Sequence, residues 1–226
     1  MAARHAVSDM ASRSDPPSGL RVRQKEARRQ AILDAAEALI RENGSADFSM
    51  QALSGRAGLS RATPFNLFGS KSAILYALLA RSLGARLRRE MPSAPDPYEH
   101  LLRCAEGGAR HFVSDPVYYR TLHRFVLGVA DSIHRPAFMK GSLDFWREAS
   151  RPLVDAGEMP PGKRHDMFAM LLRNHFGGSL DYWVVEDLSD AQFTAQIYFG
   201  AVLALLSLAT GERRAWLLAK LEGVAA

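Results

Sequence analysis

The chain has 226 residues, of which 47% are hydrophobic and 23% charged, and its formal net charge is +5. This length and composition are ordinary for a soluble globular protein with a sizeable core. The single cysteine, Cys104, excludes an internal disulfide framework and favours a cytoplasmic setting, either as a small buried side chain or as a redox sensor. Residues 1–19 lack the apolar segment of a signal peptide, and the longest apolar run, 197–209, is too short to span a membrane.

Positive charge is concentrated in the first part of the chain. Residues 20–89 hold thirteen lysines and arginines against five acids, or +8, whereas residues 90–226 hold fourteen against seventeen, or −3. A basic segment joined to a mildly acidic one predicts a polyanionic partner at one end only. Part of the excess, at Arg86, Arg88 and Arg89, fits a solvated helix end.

The first elements are a tail and a long helix. Residues 1–22 are rich in small and polar residues and are predicted to be a disordered basic tail. The basic stretch 21–29 is either a flexible arm that can reach phosphates or the solvated start of a helix. That helix runs to Glu42, and its apolar stripe must cover the elements that follow. The stripe consists of Ile32, Ala35, Ala36, Leu39 and Ile40.

Residues 48–71 have the pattern of two short helices, a tight turn between them and the start of a third helix. Serines are predicted to cap the three helices, and glycines to end the first two, because glycine adopts a positive φ without strain. These residues are Ser49, Ser60, Ser70, Gly58 and Gly69. Phe48 and Leu53 have the spacing of a hydrophobic staple. A helix, a turn with glycine and a second helix over 61–67 form a helix-turn-helix pattern.

The stretch from about residue 23 to residue 89 resembles the DNA-binding domain of TetR-family transcriptional regulators. The matching residues have the family's spacing: the apolar stripe of the first helix, Asn43-Gly44, Leu53, Ala57-Gly58-Leu59-Ser60, Thr63, Phe68, Ser70-Lys71 and Ile74-Leu75. The resemblance implies a DNA-binding domain at 23–90 and a helical ligand-binding and dimerisation domain at 97–226.

The resemblance also implies which residues face DNA: Ser49, Gln51, Arg61, Thr63, Phe65, Asn66 and Lys71. Arg61 can bind guanine bidentately or neutralise a phosphate, and Lys71 opens a helix whose free N–H groups suit a phosphate. Each polar side chain could instead be solvated without contacting DNA. Phe65 stands where the family usually carries tyrosine, and Leu67 where a polar or aromatic residue is common. Pro64 falls early enough in its helix to be tolerated.

Residues 71–90 are predicted to form a helix that bridges two domains, and the proline-rich segment 91–97 is the predicted boundary. Beyond it, helical periodicity and Pro/Gly punctuation predict helices only. They cover 98–114, 117–133, 137–156, 163–186, 190–210 and 212–221. The predicted fold is therefore all-α, with an N-terminal three-helix helix-turn-helix domain followed by a larger helical domain.

Two long helices, at about 163–186 and 190–210, are the predicted homodimer interface. Their apolar and small strips are Phe168, Leu171, Leu172, His175 and Ser179 on one helix and Ile197, Ala201, Ala204, Leu205 and Leu208 on the other. In the family such helices pair with their symmetry mates, and the alternative is that they complete a monomer core. Gly177 and Gly178 each cost a helix about 1 kcal/mol relative to alanine, which close helix approach would offset.

Aromatic and polar residues in the middle helices are candidates for a small-molecule site. The candidates are His111, Phe112, Tyr119, His123, Trp146, Asn174 and His175. An apolar cavity with a few polar groups suits a small apolar or aromatic effector. By the resemblance, such an effector would shift the helix at 71–90 and release the operator. Aromatic residues at helical spacing also fit a plain core.

The sequence thus predicts a dimeric, ligand-responsive repressor of a palindromic operator, with no cofactor, no metal and no membrane partner. Catalysis is not expected, because His111, His123 and His175 lack metal-ligand spacing, and no phosphate loop or Ser-His-Asp setting is present. The alternative is a small-molecule-binding module that has lost its operator, given Phe65 and Leu67. Salt-dependent binding to palindromic DNA would separate the two.

Overall fold

The computed structural model describes residues 18–86, 94–128 and 131–225, and these ranges contain ten α-helices and no strand. The first four are α1 (Ser18–Asn43), α2 (Met50–Arg56), α3 (Ala62–Phe68) and α4 (Lys71–Arg81), and α4 continues as a π-helical turn, Ser82–Arg86. The other six are α5 (Pro97–Val113), α6 (Pro116–Gly128), α7 (Arg135–Asp155), α8 (Lys163–Val184), α9 (Asp190–Leu206) and α10 (Gly211–Ala225). The all-α prediction is confirmed.

Helix α1 is longer than predicted. Residues 18–22, which were expected to be part of a disordered tail, form its first turn, and residues 1–17 lie outside the described residues. Ile32, Ala36 and Ile40 of the apolar stripe are fully buried, which anchors the helix. No proline lies between residue 18 and this stripe, and Arg, Lys, Gln, Glu and Ala are good helix formers. The helix therefore extends back through the basic stretch.

The helix-turn-helix depends on local caps. The Ser49 and Ser70 hydroxyls accept hydrogen bonds from the first-turn N–H groups of α2 and α4, at 3.0 and 3.1 Å. Gly58 and Gly69 have φ angles of 65° and 80°, in the region that favours glycine. These four predictions are confirmed.

The third predicted cap is wrong. The Ser60 hydroxyl contacts the Thr63 hydroxyl at 2.8 Å instead of a backbone N–H group. Arg61 already has helical angles, with φ −55° and ψ −31°, and the Thr63 N–H donates to the Ser60 carbonyl at 3.0 Å. The regular helix α3 therefore begins at Ala62, one residue later than predicted.

Helix α4 connects the first three helices, which we call the reading domain, with the rest of the molecule. Ile74, Leu75, Leu78 and Leu79 are buried, so the predicted apolar side is confirmed. The predicted helix at 71–90 changes into the π-helical turn at Ser82, and residues 87–93, with part of the predicted boundary, lie outside the described ranges. Such turns are uncommon and are often found at functional sites.

The helices after α4 form one aromatic-rich core. Phe112 lies at its centre, with ring centroids 5.7 Å from Phe176 and 5.2 Å from His123. Trp183 stacks on Phe193 at 5.3 Å.

Helix α7 begins at Arg135, before the predicted start, because the first turn of a helix tolerates proline. No helix in the described parts of the chain combines the length and apolarity that a membrane crossing needs.

Contacts near the end of α1 and the start of α6 connect the first helices of the chain with those that follow α4. Arg41 forms an ion pair with Asp115 and stacks over the Tyr118 ring at 4.3 Å. The Thr121 hydroxyl donates to the Gly44 carbonyl at 3.3 Å.

Burial raises the pKa of Cys104, in α5, to about 12, so this thiol is a protonated core group rather than a reactive one.

Candidate DNA interface and effector cavity

The outer face of α2 and α3 presents the predicted DNA-contacting residues to solvent. Ser49, Gln51, Arg61, Phe65 and Asn66 are exposed. Thr63 and Lys71 are half-buried, so none of the seven is packed inside the molecule. Pro64 is the buried residue of α3 and lies in its first turn, where it removes no internal hydrogen bond.

Helix α1 holds the C-terminal end of α3 in place. The Arg29 guanidinium donates to the Leu67 carbonyl at 2.6 Å and lies 4.1 Å from the centroid of the Phe68 ring. Leu67 is half-buried and packs against the core. The departure from the family pattern at Leu67 therefore serves packing of the helix rather than its outer face.

A cleft between α1 and α3 carries basic side chains of the stretch 21–29, which was predicted to be either a phosphate-reaching arm or a solvated helix start. It has a volume of about 360 Å³ and is lined by Arg21, Gln24, Lys25, Arg28, Thr63, Asn66 and Leu67; we call it the basic groove. Neither Lys25 nor Arg28 has an ion-pair partner among the described residues. The signal was available in the sequence, since residues 21, 25 and 28 fall on one helical face.

Lys71 begins α4 and contacts the segment that precedes α2. Its Nζ lies 3.4 Å from the Asp47 carboxylate and 4.8 Å from the centroid of the Phe48 ring. The Asp47 side chain is 97% exposed, and such solvated pairs contribute little to stability. The ammonium group is therefore available to exchange Asp47 for another anion.

A cavity of about 670 Å³ lies between α5, α6, α7 and α8; because it is the candidate site for an effector, we call it the effector cavity. Its wall is mainly apolar, and charged residues complete it. The lining includes Leu83, Phe112, His123, Val126, Leu127, Asp131, Arg135, Phe138, Met139, Arg173, Phe176, Gly177, Leu180 and Asp181. The volume is within the usual range for small-molecule sites.

Two of the seven predicted ligand residues, Phe112 and His123, line the effector cavity. Trp146 is buried behind the wall, with its ring centroid 5.7 Å from Phe176. His111 and Tyr119 hydrogen-bond each other at 2.8 Å, and His111 also contacts the Ser82 hydroxyl at 2.8 Å. These two residues hold α5 and α6 against the end of α4 rather than line the cavity.

The placement of the remaining two is a correction. Asn174 is exposed and accepts a hydrogen bond from Arg173 at 2.6 Å. His175 donates to the Gln196 carbonyl at 2.8 Å and covers Gly200, where an added Cβ would clash with the ring. The physical reason is helical phase, because residues 173, 176, 177 and 180 of α8 face the cavity and 174 and 175 do not.

The effector cavity and the reading domain share one carboxylate. Asp131 lines the cavity, and it accepts hydrogen bonds from the Ser72 hydroxyl in α4 and from the backbone N–H groups of Ile133 and His134. The His134 backbone and Ser72 bonds hold the pKa of Asp131 well below its usual range. A ligand that disturbs Asp131 would therefore disturb the start of α4.

A second cavity, of about 510 Å³, lies on the other side of α4 against α1, α3 and α7. Leu83 and Phe138 border both cavities. The end of α4 is thus flanked by unfilled space, which gives this helix room to move.

The predicted dimer strips on α8 and α9 are mostly part of the protomer core. Of their ten residues only Leu171 is exposed. Exposed apolar residues follow a different helical phase, on Met167, Leu171, Tyr182, Val185, Phe199 and Leu203. We call these six residues, with the exposed Gly178, the α8–α9 face. Both sides of α8 are apolar, so the periodicity of the sequence alone did not distinguish them.

Three histidines were considered as metal ligands, and each has a different surrounding: His111 bonds Ser82 and Tyr119, His123 borders the cavity, and His175 bonds Gln196. In the part of the chain that the structure describes, no group of three His, Cys, Asp or Glu side chains is placed to hold a metal ion.

Residues 32–78 match the family model described as "Bacterial regulatory proteins, tetR family". No curated protein is close enough in sequence to count as a match. The match covers the second half of α1 and all of α2 and α3, and it extends into α4. The matched segment therefore contains the helix-turn-helix and the exposed outer face of α2 and α3.

Solved structures with the same fold include three regulators. A TetR transcriptional regulator from Rhodococcus sp. RHA1 is 20% identical, with a TM-score of 0.67 over 82% of this chain and 100% of that one. Thermus thermophilus FadR, a repressor in complex with lauroyl-CoA, is 20% identical, with a TM-score of 0.65 over 81% of this chain and 96% of that one. SmeT, the repressor of the Stenotrophomonas maltophilia multidrug efflux pump SmeDEF, is 23% identical, with a TM-score of 0.60 over 81% of this chain and 91% of that one.

Proposed function

From the match of residues 32–78 to the tetR family model and the shared fold, we propose that the chain is a tetR-family regulator, namely a ligand-responsive repressor that binds a palindromic operator as a homodimer. This family consists of regulators rather than enzymes. The DNA-binding domain extends from α1 to about residue 90, and the effector and dimer domain covers 97–226. The repressor acts in the cytoplasm, where its operator lies.

The observation that carries the proposal is the shared orientation of α3 and the basic groove. Arg61 is exposed directly before α3 and Asn66 is exposed on it, and Lys25 and Arg28 lie in the groove beside the helix. In this arrangement α3 enters the major groove, and the Arg61 and Asn66 side chains bind base edges. The basic groove and Lys71 neutralise the flanking phosphates, which position the helix without reading sequence.

The dimer forms through the α8–α9 face. Leu171 is 55% exposed, Tyr182 is 59% exposed and Phe199 is 39% exposed, so a second copy would bury a large apolar surface. An added Cβ at Gly178 meets no atom within 4 Å in the protomer, which leaves room for the backbone of a partner helix. Two protomers related by a twofold axis place their α3 helices about 34–36 Å apart on one side of the duplex.

Effector binding releases the operator through α4. The effector cavity borders the π-helical turn at Leu83, and Asp131 joins the cavity to Ser72. FadR, which is named as a repressor with bound lauroyl-CoA, has the same fold, and this supports a small-molecule effector for the present chain. A ligand that shifts α4 changes the spacing of the two α3 helices and lowers operator affinity.

The first experiment is to identify the operator by sequencing the genomic fragments that the purified protein retains. The fragments are expected to share a palindrome, and gel-shift affinity for it falls steeply with salt. Arg61→Ala should weaken binding, whereas Arg151→Ala, which removes an exposed arginine paired with Asp155 on α7, should not. Retention of random fragments with no salt dependence would contradict the proposal and favour a ligand-binding module without an operator.

A further inference from the structure

One buried polar side chain that lines the effector cavity has no hydrogen-bond partner in the described part of the chain. His123 is 8% exposed and borders the cavity. Neither of its ring nitrogens makes a hydrogen bond to another of the described residues, and its packing contact is the edge of Phe112 at 5.2 Å. Buried polar groups in folded proteins normally have a hydrogen-bond partner, so an unpaired imidazole facing a cavity indicates a missing partner.

The protonation state of this imidazole restricts what the partner can be. Burial lowers the pKa of His123 to about 4, so the ring is neutral at neutral pH. A neutral imidazole offers one N–H donor and one nitrogen acceptor and gives no ionic attraction to an anion. A charged ligand group placed beside it would lose hydration without gaining an opposite charge.

The charged residues of the cavity do not favour a charged ligand either. Arg135 and Arg173 carry two positive charges, and Asp131 and Asp181 carry two negative charges, so the lining is formally neutral. Asp131 is already engaged by Ser72 and by two backbone N–H groups. The rest of the wall is apolar and aromatic, with Phe112, Phe138 and Phe176 among its members.

We propose that the effector is an apolar, ring-containing molecule that carries one uncharged hydrogen-bonding group, such as a phenolic hydroxyl or a carbonyl, and that this group pairs with His123. The apolar wall provides affinity, and His123 selects against molecules that lack the polar group, because those would leave the imidazole unpaired. His123 is thus the specificity-determining residue of the cavity. The inference rests on the proposed function in assuming that this cavity receives the effector.

Three probes of similar shape test it: 4-phenylphenol, biphenyl and biphenyl-4-carboxylate, with dissociation constants measured by equilibrium dialysis at pH 7. The native protein should bind 4-phenylphenol about tenfold more tightly than either of the others, the factor expected for one hydrogen bond in an apolar site. His123→Phe should bind 4-phenylphenol and biphenyl within about twofold of each other, whereas His123→Gln, which keeps a donor and an acceptor, should retain the preference. Thermal melting confirms that both variants are folded.

Equal affinity for 4-phenylphenol and biphenyl in the native protein would overturn the inference, and so would tightest binding of the carboxylate or no binding of any probe. Persistence of the hydroxyl preference in His123→Phe would assign the selectivity to another residue and would also overturn it. Operator binding is measured separately by gel shift. Loss of probe selectivity with intact operator binding would therefore reject this inference alone, and absence of operator binding would reject the proposed function.

Discussion

Lys25 provides the most quantitative test of the DNA interface. It lies in the basic groove next to the α3 residues Thr63 and Asn66, and no carboxylate neutralises it among the described residues. If each copy neutralises one phosphate, Lys25→Ala in a dimer removes two phosphate contacts. The slope of log K against log salt then becomes shallower by roughly 1.8, at about 0.9 for each contact. This corresponds to an affinity loss on the order of 50-fold at 0.1 M salt, which shrinks as salt rises.

The assay is a gel-shift titration on the selected operator at four or more salt concentrations. Lys140→Ala is the matched control, because this lysine is 74% exposed on α7 and is paired with Asp144 at 2.7 Å, outside the groove. The control should leave the slope unchanged. An unchanged slope for Lys25→Ala would refute the assignment of α1 to the DNA interface, since a lost phosphate contact must release fewer counterions.

Three further predictions concern coupling, assembly and pH. Ser72→Ala removes the hydrogen bond to the carboxylate in the cavity wall, so operator binding should persist while its response to a bound effector weakens, as measured by gel shift with and without 4-phenylphenol. Gly178→Ala should shift the monomer–dimer equilibrium towards monomer in sedimentation experiments, whereas Gly107→Ala, at another open helical position, should not. His123 has a pKa of about 4 in the folded protein against 6.5 unfolded, so stability should fall by about 2 kcal/mol between pH 7 and pH 5 as the unfolded chain takes up the proton. His123→Phe should remove that part of the pH dependence of urea unfolding, and an identical dependence in both proteins would contradict the burial argument.

The reading domain could be predicted from the sequence because its signals are local. A serine such as Ser49 caps the helix that directly follows it, and a glycine such as Gly58 ends the helix that directly precedes it. The error at Ser60 is also local, because its hydroxyl hydrogen-bonds to the neighbouring Thr63 hydroxyl instead of to a backbone N–H group. The extent of α1 was underestimated, since burial of its distant apolar stripe stabilises the basic turns before it.

For the effector and dimer domain, 97–226, the sequence predicted the helices but not which side of each helix is buried, because burial depends on tertiary contacts. Helical periodicity located α8, but apolar residues occur on both sides of it, so the sequence could not tell the core side from the exposed side at Leu171 and Leu172. The roles of the histidines were equally hidden. His175 fills the space above Gly200, and His123 reaches a cavity, although the two residues look alike in the sequence.

The central claim is that two α3 helices, held by a dimer, bind one palindrome. Hydroxyl-radical footprinting of the protein on the selected operator tests it most directly. We expect two protected patches on the same side of the duplex, centred about 10–10.5 base pairs or a multiple of that apart, which disappear together in Arg61→Ala. A single protected patch, or protection unchanged by Arg61→Ala, would contradict paired reading by α3.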